Sequence, residues 1–257
     1  PSTPPAPPPV EPPLVSPAEP PPPPDLPSPR RERAVTLALR YRRATDLDAG
    51  TLELAVRRPL ASRAWADAAI GLQLGDADGT RAVTLTNPRL GLGLLVRPRL
   101  IATIDLDLPA ASASGDAGEV AAASTDLAVV DPIPTAPRTT SVVVAVSPRR
   151  TVGKASAQLR LAASLLLPTD GPNRLLLHAD LGGSIAVAGP VRLAATVETT
   201  SYILADVPGD DFVHRVAIAC QLWSRAGELT AGVAAPLDRP QRDRDLVELT
   251  LAARARF

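Results

Sequence analysis

Apolar and polar residues alternate along most of this chain with a period of two, and this pattern limits the fold more than any other feature. In the last segment one side carries Val247, Leu249, Leu251, Ala253, Ala255 and Phe257, and the other carries Glu248, Thr250, Ala252, Arg254 and Arg256. Successive side chains of a β-strand point to opposite faces of a sheet. The period therefore predicts a strand with one apolar and one charged face.

The same alternation recurs often enough to predict twelve strands. They lie near 35–42, 52–57, 67–74, 88–97, 100–107, 139–147, 157–165, 173–187, 190–202, 212–223, 228–237 and 247–257. Proline is excluded from strand interiors because it cannot donate to the ladder of hydrogen bonds. All fourteen prolines after residue 33 fall at predicted turns, loops or strand edges. The predicted loops include 75–87 and 147–153. The two signals agree on an all-β body.

The composition does not suit a soluble core. Aromatic residues make up 2% of the chain beside 45% hydrophobic residues, whereas a soluble domain of this size normally buries several rings. No apolar run approaches the roughly 18 to 20 residues that a membrane helix needs. The 27 basic and 27 acidic residues balance, so charge gives no reason to expect a nucleic-acid partner. We expect apolar side chains that face something other than a compact interior.

The first 32 residues differ from the body in composition. Residues 1–29 hold 16 of the 30 prolines and show no alternation, which predicts a disordered Pro-rich arm over 1–32 and a barrel over 33–257. The arm is either a flexible spacer or a ligand for a proline-recognition domain. The sequence contains no methionine, so we expect that it begins after processing, with any export signal already removed.

Three features favour a membrane barrel. The predicted connections are mostly longer at one rim and shorter at the other, which is the pattern of outer-membrane barrels. The longer connections are rich in Asp and the shorter turns in Arg. The aromatic residues all lie at predicted strand ends, where interface belts form: Tyr41, Phe212 and Phe257 with outward parity, and Trp65, Tyr202 and Trp223 with doubtful parity. A soluble sandwich or lipocalin-like barrel is the alternative.

The last strand, which ends in Phe257, resembles the C-terminal signature of bacterial outer-membrane β-barrels. The resemblance implies an antiparallel up-and-down transmembrane barrel in a Gram-negative outer membrane, with both termini periplasmic. It implies that Leu249, Leu251 and Phe257 are read as an assembly signal by the barrel-assembly machinery. The other partners we expect are outer-membrane lipid and lipopolysaccharide, and a periplasmic partner for the arm. We expect no nucleic acid, cofactor, metal or catalytic residue.

The inward parity places many charged residues in the barrel interior, where water-filled space would solvate them. The predicted pore-lining residues are Arg40, Arg42, Glu53, Asp67, Asp105, Asp107, Arg160, His178, Asp180, Glu198, Arg254 and Arg256. We expect Arg40 or Arg42 to pair with Glu53 on the next strand. Cys220, the only cysteine, has outward parity and cannot form an intrachain disulfide.

The longest connection, Pro109–Arg138, contains an Ala-rich stretch, 118–130, that favours a short helix. By its position after the fifth strand the connection resembles the constriction loop of general porins. If it folds inward, Asp116, Glu119, Asp126 and Asp131 would face lumen arginines and create a transverse field. If it folds outward, it is an extracellular flap.

Motifs that suggest chemistry are weak. Asp76-Ala77-Asp78-Gly79-Thr80 resembles a phosphatase aspartate loop but is predicted to be a polar loop between strands. Gly91-Leu92-Gly93 lacks the third glycine of a dinucleotide site, and His178 with Asp180 favours an interior hydrogen-bonded pair. The sequence therefore predicts a porin or passive channel for ions or small polar solutes. A plugged structural or binding barrel and an autotransporter-type translocator are the alternatives.

Overall fold

The structure, a computed structural model, describes residues 33–45, 47–127, 133–203, 212–224, 226–238, 242–243 and 245–257. The predicted arm over 1–32 and the predicted constriction residue Asp131 lie outside these described residues. No helix of the described part of the chain is long and apolar enough to cross a membrane.

The described residues form thirteen strand segments and one long helix. Their bounds are β1 (Ala34–Ala44), β2 (Leu47–Pro59), β3 (Ala64–Ala77), β4 (Thr80–Leu85), β5 (Arg89–Arg97), β6 (Leu100–Asp107), α1 (Gly115–Leu127), β7 (Thr139–Val152), β8 (Ala155–Pro168), β9 (Arg174–Ala188), β10 (Val191–Tyr202), β11 (Phe212–Trp223), β12 (Gly227–Pro236) and β13 (Val247–Arg256).

The strands close into an antiparallel barrel of twelve strands, which confirms the predicted fold class. Each strand pairs with its neighbours in sequence, and β1 pairs with both β2 and β13. The segments β4 and β5 count as one strand, because both pair with β3. Segment β4 pairs with the C-terminal half of β3, and β5 pairs with its N-terminal half. Closure pairs the first strand with the last, as a sheet that spans lipid requires, and β4 has a strand partner on one side only.

The barrel has two rims, a terminal rim and a loop rim. The terminal rim holds Ala34 and Arg256, which pair with each other, and the short turns. The loop rim holds the connection between β6 and β7, which is the longest of the described body.

The predicted loop 75–87 is wrong. Strand β3 continues to Ala77 and β4 begins at Thr80, with only Asp78 and Gly79 between them. Both residues have positive φ, 50° and 86°, which is the geometry of a tight hairpin turn that matches strand twist. The acidic motif therefore caps a hairpin, and the strand alternation continues through it.

The predicted loop 147–153 is also wrong, since β7 runs to Val152 and contains Pro148. Its ladder with β8 skips Ser147 and Pro148 and resumes at Arg149, which pairs with Gln158. On its other side Pro148 pairs with Leu100, the first residue of β6. The proline is tolerated because the ladder is interrupted where its missing N–H would donate.

The barrel is apolar outside and polar inside, the reverse of a soluble domain. Outward residues such as Leu37, Leu72 and Leu251 are 48%, 51% and 49% exposed. Inward residues that are almost fully buried include Gln73, Ser141, Ser164, Thr200 and Gln221. A continuous exposed apolar surface of this extent disagrees with the soluble sandwich alternative.

The aromatic residues divide between the two faces. Tyr41 and Phe212 are outward and exposed, as predicted, and so is Phe257 beyond the end of β13. Trp65 and Trp223 are inward and buried, so the interface belt predicted for them is wrong. Each ring lies under an arginine, with Arg57 5.3 Å above Trp65 and Arg256 4.7 Å above Trp223. These cation–π contacts suit a polar interior.

Candidate lumen and constriction

The strand register turns all twelve predicted pore-lining positions toward the interior. They occupy alternate positions on the inner face of their strands. In the ladders Glu198 lies opposite Asp180, and Arg42 lies opposite Glu248, which is not one of the twelve. Whether they line a conducting path stays a prediction. The three predicted assembly residues, Leu249, Leu251 and Phe257, have the opposite parity and are exposed outside.

A chain of ion pairs runs along the interior from β1 to β10. Glu248 accepts from Arg42 at 2.8 Å and from Arg215 at 3.1 Å, and Arg215 also donates to Glu198 at 2.8 Å. The contact between Glu248 and Arg215 crosses β12, where the inward residue is the small Ala234. The predicted pairing of Arg40 or Arg42 with Glu53 is wrong. Closure of the barrel gives Arg42 a partner on β13.

Further pairs occupy the rest of the wall. Arg160 donates to Asp180 at 3.1 Å, and Arg57 donates to Asp67 at 2.6 Å. Arg89 lies 3.7 Å from Glu53 and is an inward cation that the alternation did not predict. Its parity was hidden because one extra residue lies between β4 and β5.

Asp105 lies over Gly91 on the adjacent strand. A Cβ added to Gly91 would come 2.3 Å from the Asp105 carboxylate, so the missing side chain makes room for it. Gly93 serves Trp65 in the same way, since a Cβ there would lie 2.0 Å from the ring. The Gly-Leu-Gly motif is thus explained by packing inside the barrel.

His178 and Asp180 share the inner face, but the hydrogen bond predicted between them is absent. His178 bonds Ser164 through Nε2 and Thr200 through Nδ1, both at 2.9 Å. Asp180 is instead the partner of Arg160. The three residues His178, Ser164 and Thr200 are buried and form a chain across β8, β9 and β10.

Helix α1 lies inside the barrel near the loop rim. Val120 is fully buried and packs in one cluster with the inward residues Ala44, Leu47, Ala49 and Ala77. Ser124, one turn further, forms a hydrogen bond with Gln73 on β3. The long connection therefore folds inward, and the extracellular flap is excluded for this helix.

The segment of the connection that follows α1 contacts the opposite wall of the barrel. Ile133 is buried against Val143, Ala162, Leu166 and Leu176 on β7, β8 and β9. Strands β2 and β8 are separated by about half of the closed barrel. The connection between them thus crosses the interior from one side to the other.

Asn87 forms hydrogen bonds with both ends of this connection, before and after α1. Its side-chain amide donates to the carbonyls of Ile133 and Ala136, and its side-chain oxygen accepts from the N–H groups of Ala110 and Ala111, all at 2.9 Å. Its backbone N–H donates to Pro134 at 2.7 Å. Asn87 lies in the bulge between β4 and β5, and bulges re-aim side chains in this way. No sequence pattern singled it out.

Two acidic residues of α1 are exposed, Asp116 and Glu119. Asp116 lies in the first turn of the helix, four residues before Val120 and therefore on the same side of α1. Within the described residues neither Asp116 nor Glu119 forms an ion pair, so their predicted pairing with lumen arginines is not seen. The side chain of Asp126 and the whole of Asp131 lie outside the described part of the structure.

Two adjoining cavities lie in the interior, and the first of them is beside the connection. One of about 180 Å³ lies under Ile133 and Pro134, and one of about 300 Å³ lies between β8, β9 and β10. Both are lined by Arg160, Asp180 and Glu198, so this charged group separates them. The described residues contain no cluster of His, Cys, Asp and Glu that fits a metal ion.

Comparison with solved structures defines the class of fold. An outer-membrane channel from Pseudomonas putida F1 is similar with a TM-score of 0.63 and 13% identity over 88% of this chain and 95% of that chain. The NanC porin is similar with a TM-score of 0.53 and 11% identity, covering 86% of this chain and 98% of that chain. LpxR from Salmonella typhimurium has a TM-score of 0.50 and 11% identity, covering 87% and 99%.

The fold is therefore that of bacterial outer-membrane β-barrels, as the C-terminal signature implied. No family model matches the chain, and no curated protein matches it. At these identities the likeness concerns the fold.

Proposed function

We propose that this protein is an outer-membrane channel that passes ions or small polar solutes passively. The observation that carries the proposal is a closed barrel whose interior holds charged side chains, open cavities and an inward-folded connection. If side chains alone filled the interior, we would expect apolar or neutral residues there, because burying a charge without solvation costs free energy. The similar channel and porin folds support the proposal.

The proposal includes location and orientation. The exposed apolar band would face lipid, with the terminal rim in the periplasm and the loop rim outside. Outer-membrane lipid, lipopolysaccharide and the barrel-assembly machinery are the partners we propose, with Leu249, Leu251 and Phe257 presented to that machinery. The Pro-rich arm over 1–32 would then start from the periplasmic rim, where it is placed to contact a periplasmic partner.

The barrel-filling alternative also has support. Val120 is fully buried and Ile133 is 6% exposed, so the connection is packed tightly against both walls. A lumen plugged in this way would make the protein a structural or binding barrel. We propose no catalytic role for Ser164 and His178, since both side chains are buried. Nδ1 of His178 contacts the Thr200 hydroxyl, whereas the histidine of a serine hydrolase usually has a carboxylate there.

Planar-bilayer recording of the refolded full chain tests the proposal. Discrete current steps are expected, and the reversal potential in a salt gradient would report the sign of the preferred ion. Folding is verified by circular dichroism before insertion. A folded protein that inserts without steps would contradict the channel and favour the plugged barrel.

A further inference from the structure

Asp105 is an inward carboxylate that has no partner in the barrel wall. Its neighbours across the two ladders are Gly91 on β5 and Val143 on β7, and neither side chain can donate a hydrogen bond. Among the described residues the Asp105 side chain forms no hydrogen bond and no ion pair. Because a carboxylate without donors is costly to bury, this half-buried group depends on the lumen for its solvation.

The two arginines whose charge acts most on Asp105 each have another carboxylate as their partner. Arg89 lies 3.7 Å from Glu53, and Arg160 donates to Asp180 at 3.1 Å. Both arginines attract Asp105 through space, but neither comes within ion-pair distance of it. Since the attraction between charges falls with distance, the two arginines compensate the charge of Asp105 only in part.

Asp105 lines the cavity of about 180 Å³ that lies under Ile133 and Pro134. The connection crosses the interior at this point, so the lumen is narrow here. Two inward arginines, Arg40 and Arg149, also form no ion pair among the described residues, but neither of them lines this cavity. A carboxylate beside a narrow water-filled passage attracts cations and repels anions.

We propose that Asp105 makes the lumen selective for small cations over anions. Its charge is directed into the narrow part of the lumen, because Gly91 and Val143 provide no donor that would hold the carboxylate against the wall. The selectivity rests on the proposed function, since it requires a conducting path. It adds to that function the sign of the preferred solute and the residue that selects it.

Reversal potentials of the refolded full chain in a potassium chloride gradient test this selectivity. We expect the unaltered protein to prefer potassium over chloride. In Asp105→Asn, which keeps the shape of the side chain, the ratio of potassium to chloride permeability should fall about fivefold, the effect of one unit charge at about 4 Å from an ion in water. Asp48→Asn is the control and should leave the ratio unchanged, because Asp48 is exposed on the outer face beside Tyr41.

A cysteine variant separates the effect of charge from any effect on folding. Cys220, the only cysteine, is exposed, so Asp105→Cys in a Cys220→Ser background provides a single thiol for modification. A methanethiosulfonate reagent that adds a sulfonate should restore the preference for potassium, and one that adds an ammonium group should lower it further. Because both reagents modify the same folded protein, misfolding cannot produce these opposite shifts.

Three results would overturn the selectivity and leave the channel in place. They are a preference for chloride in the unaltered protein, an unchanged permeability ratio in Asp105→Asn, and equal effects of the two reagents. A folded protein that gives no current steps would instead reject the channel, and the selectivity with it.

Discussion

Asn87 shows how one side chain can set the position of a whole connection. It makes five hydrogen bonds to both limbs of the segment that crosses the interior, and it is 4% exposed. A buried amide with this many partners is costly to remove, because the backbone groups left behind lose their partners.

Replacement of Asn87 by Ala should loosen the connection and weaken the barrel. We expect a loss of about 1–3 kcal/mol in the free energy of unfolding from the unsatisfied backbone groups. Guanidinium unfolding followed by circular dichroism measures this loss. The matched control is Asn173→Ala, since Asn173 is the only other asparagine and is exposed. Equal stability of the two variants would contradict the role given to Asn87.

A second residue-scale prediction concerns the glycine under Trp65. Gly93→Ala would place a Cβ 2.0 Å from the ring, and the ring would have to leave its position under Arg57. We expect a cost of about 1–3 kcal/mol, typical of overpacking. Gly50→Ala is the control, because nothing lies within 4 Å of its added Cβ. Thermal or denaturant unfolding of both variants checks the difference, and a neutral Gly93→Ala would argue against this packing.

At the scale of elements, the ion-pair chain includes one contact between strands that are adjacent only because the barrel is closed, β1 and β13. Glu248 on β13 contacts Arg42 on β1, 206 positions away in sequence. It also contacts Arg215 across β12. Glu248 therefore holds the seam between the first and the last strand.

Glu248→Gln should destabilise that seam. It would leave Arg42 and Arg215, both mostly buried, without a shared carboxylate, and breaking a buried pair costs about 3–5 kcal/mol. Arg43→Gln is the control, because the Arg43–Asp48 pair is 4.0 Å apart and largely exposed, and such pairs contribute about 0–1 kcal/mol. Urea unfolding would measure both. A loss no larger in Glu248→Gln than in the control would contradict the importance of the chain.

Elements with clear alternation could be predicted from the sequence, and others could not. The last strand, Val247–Arg256, and the inward parity of Arg160 and Asp180 followed from the period of two. The hairpin at Asp78 and Gly79 was mistaken for a loop, because polar turn residues interrupt the apolar pattern where β3 meets β4. Arg89 was missed because the one-residue bulge at Asn87 shifts the parity.

The contact partners of the inward side chains were harder to predict than the face of the strand on which each side chain lies. The inward parity of Arg42 follows from the residues of its own strand. Its partner depends on which strand lies beside β1 after closure. The same holds for α1, whose Ala-rich stretch predicted a helix without saying which wall Val120 would meet. Long-range contacts of this kind depend on register and closure, which a single sequence pattern does not specify.

For the whole molecule, the central claim is a charged lumen that is narrowed by its own long connection. Helix α1 lies on the wall of β2, β3 and β4, and Ile133 lies on the wall of β7, β8 and β9. One cavity lies under Ile133 and Pro134, and a second one adjoins it between β8, β9 and β10. Removing the connection should widen the path without breaking the wall.

The most direct measurement is the single-channel conductance of the refolded protein in a planar bilayer, compared with a variant that lacks residues 112–134. The deletion joins Ala111 to Thr135, and both ends stay near Asn87, which contacts Ala111 and Ala136. We predict discrete steps from the full chain and larger steps from the deletion variant. Steps of equal size, or no steps from either folded protein, would contradict a channel narrowed by this connection.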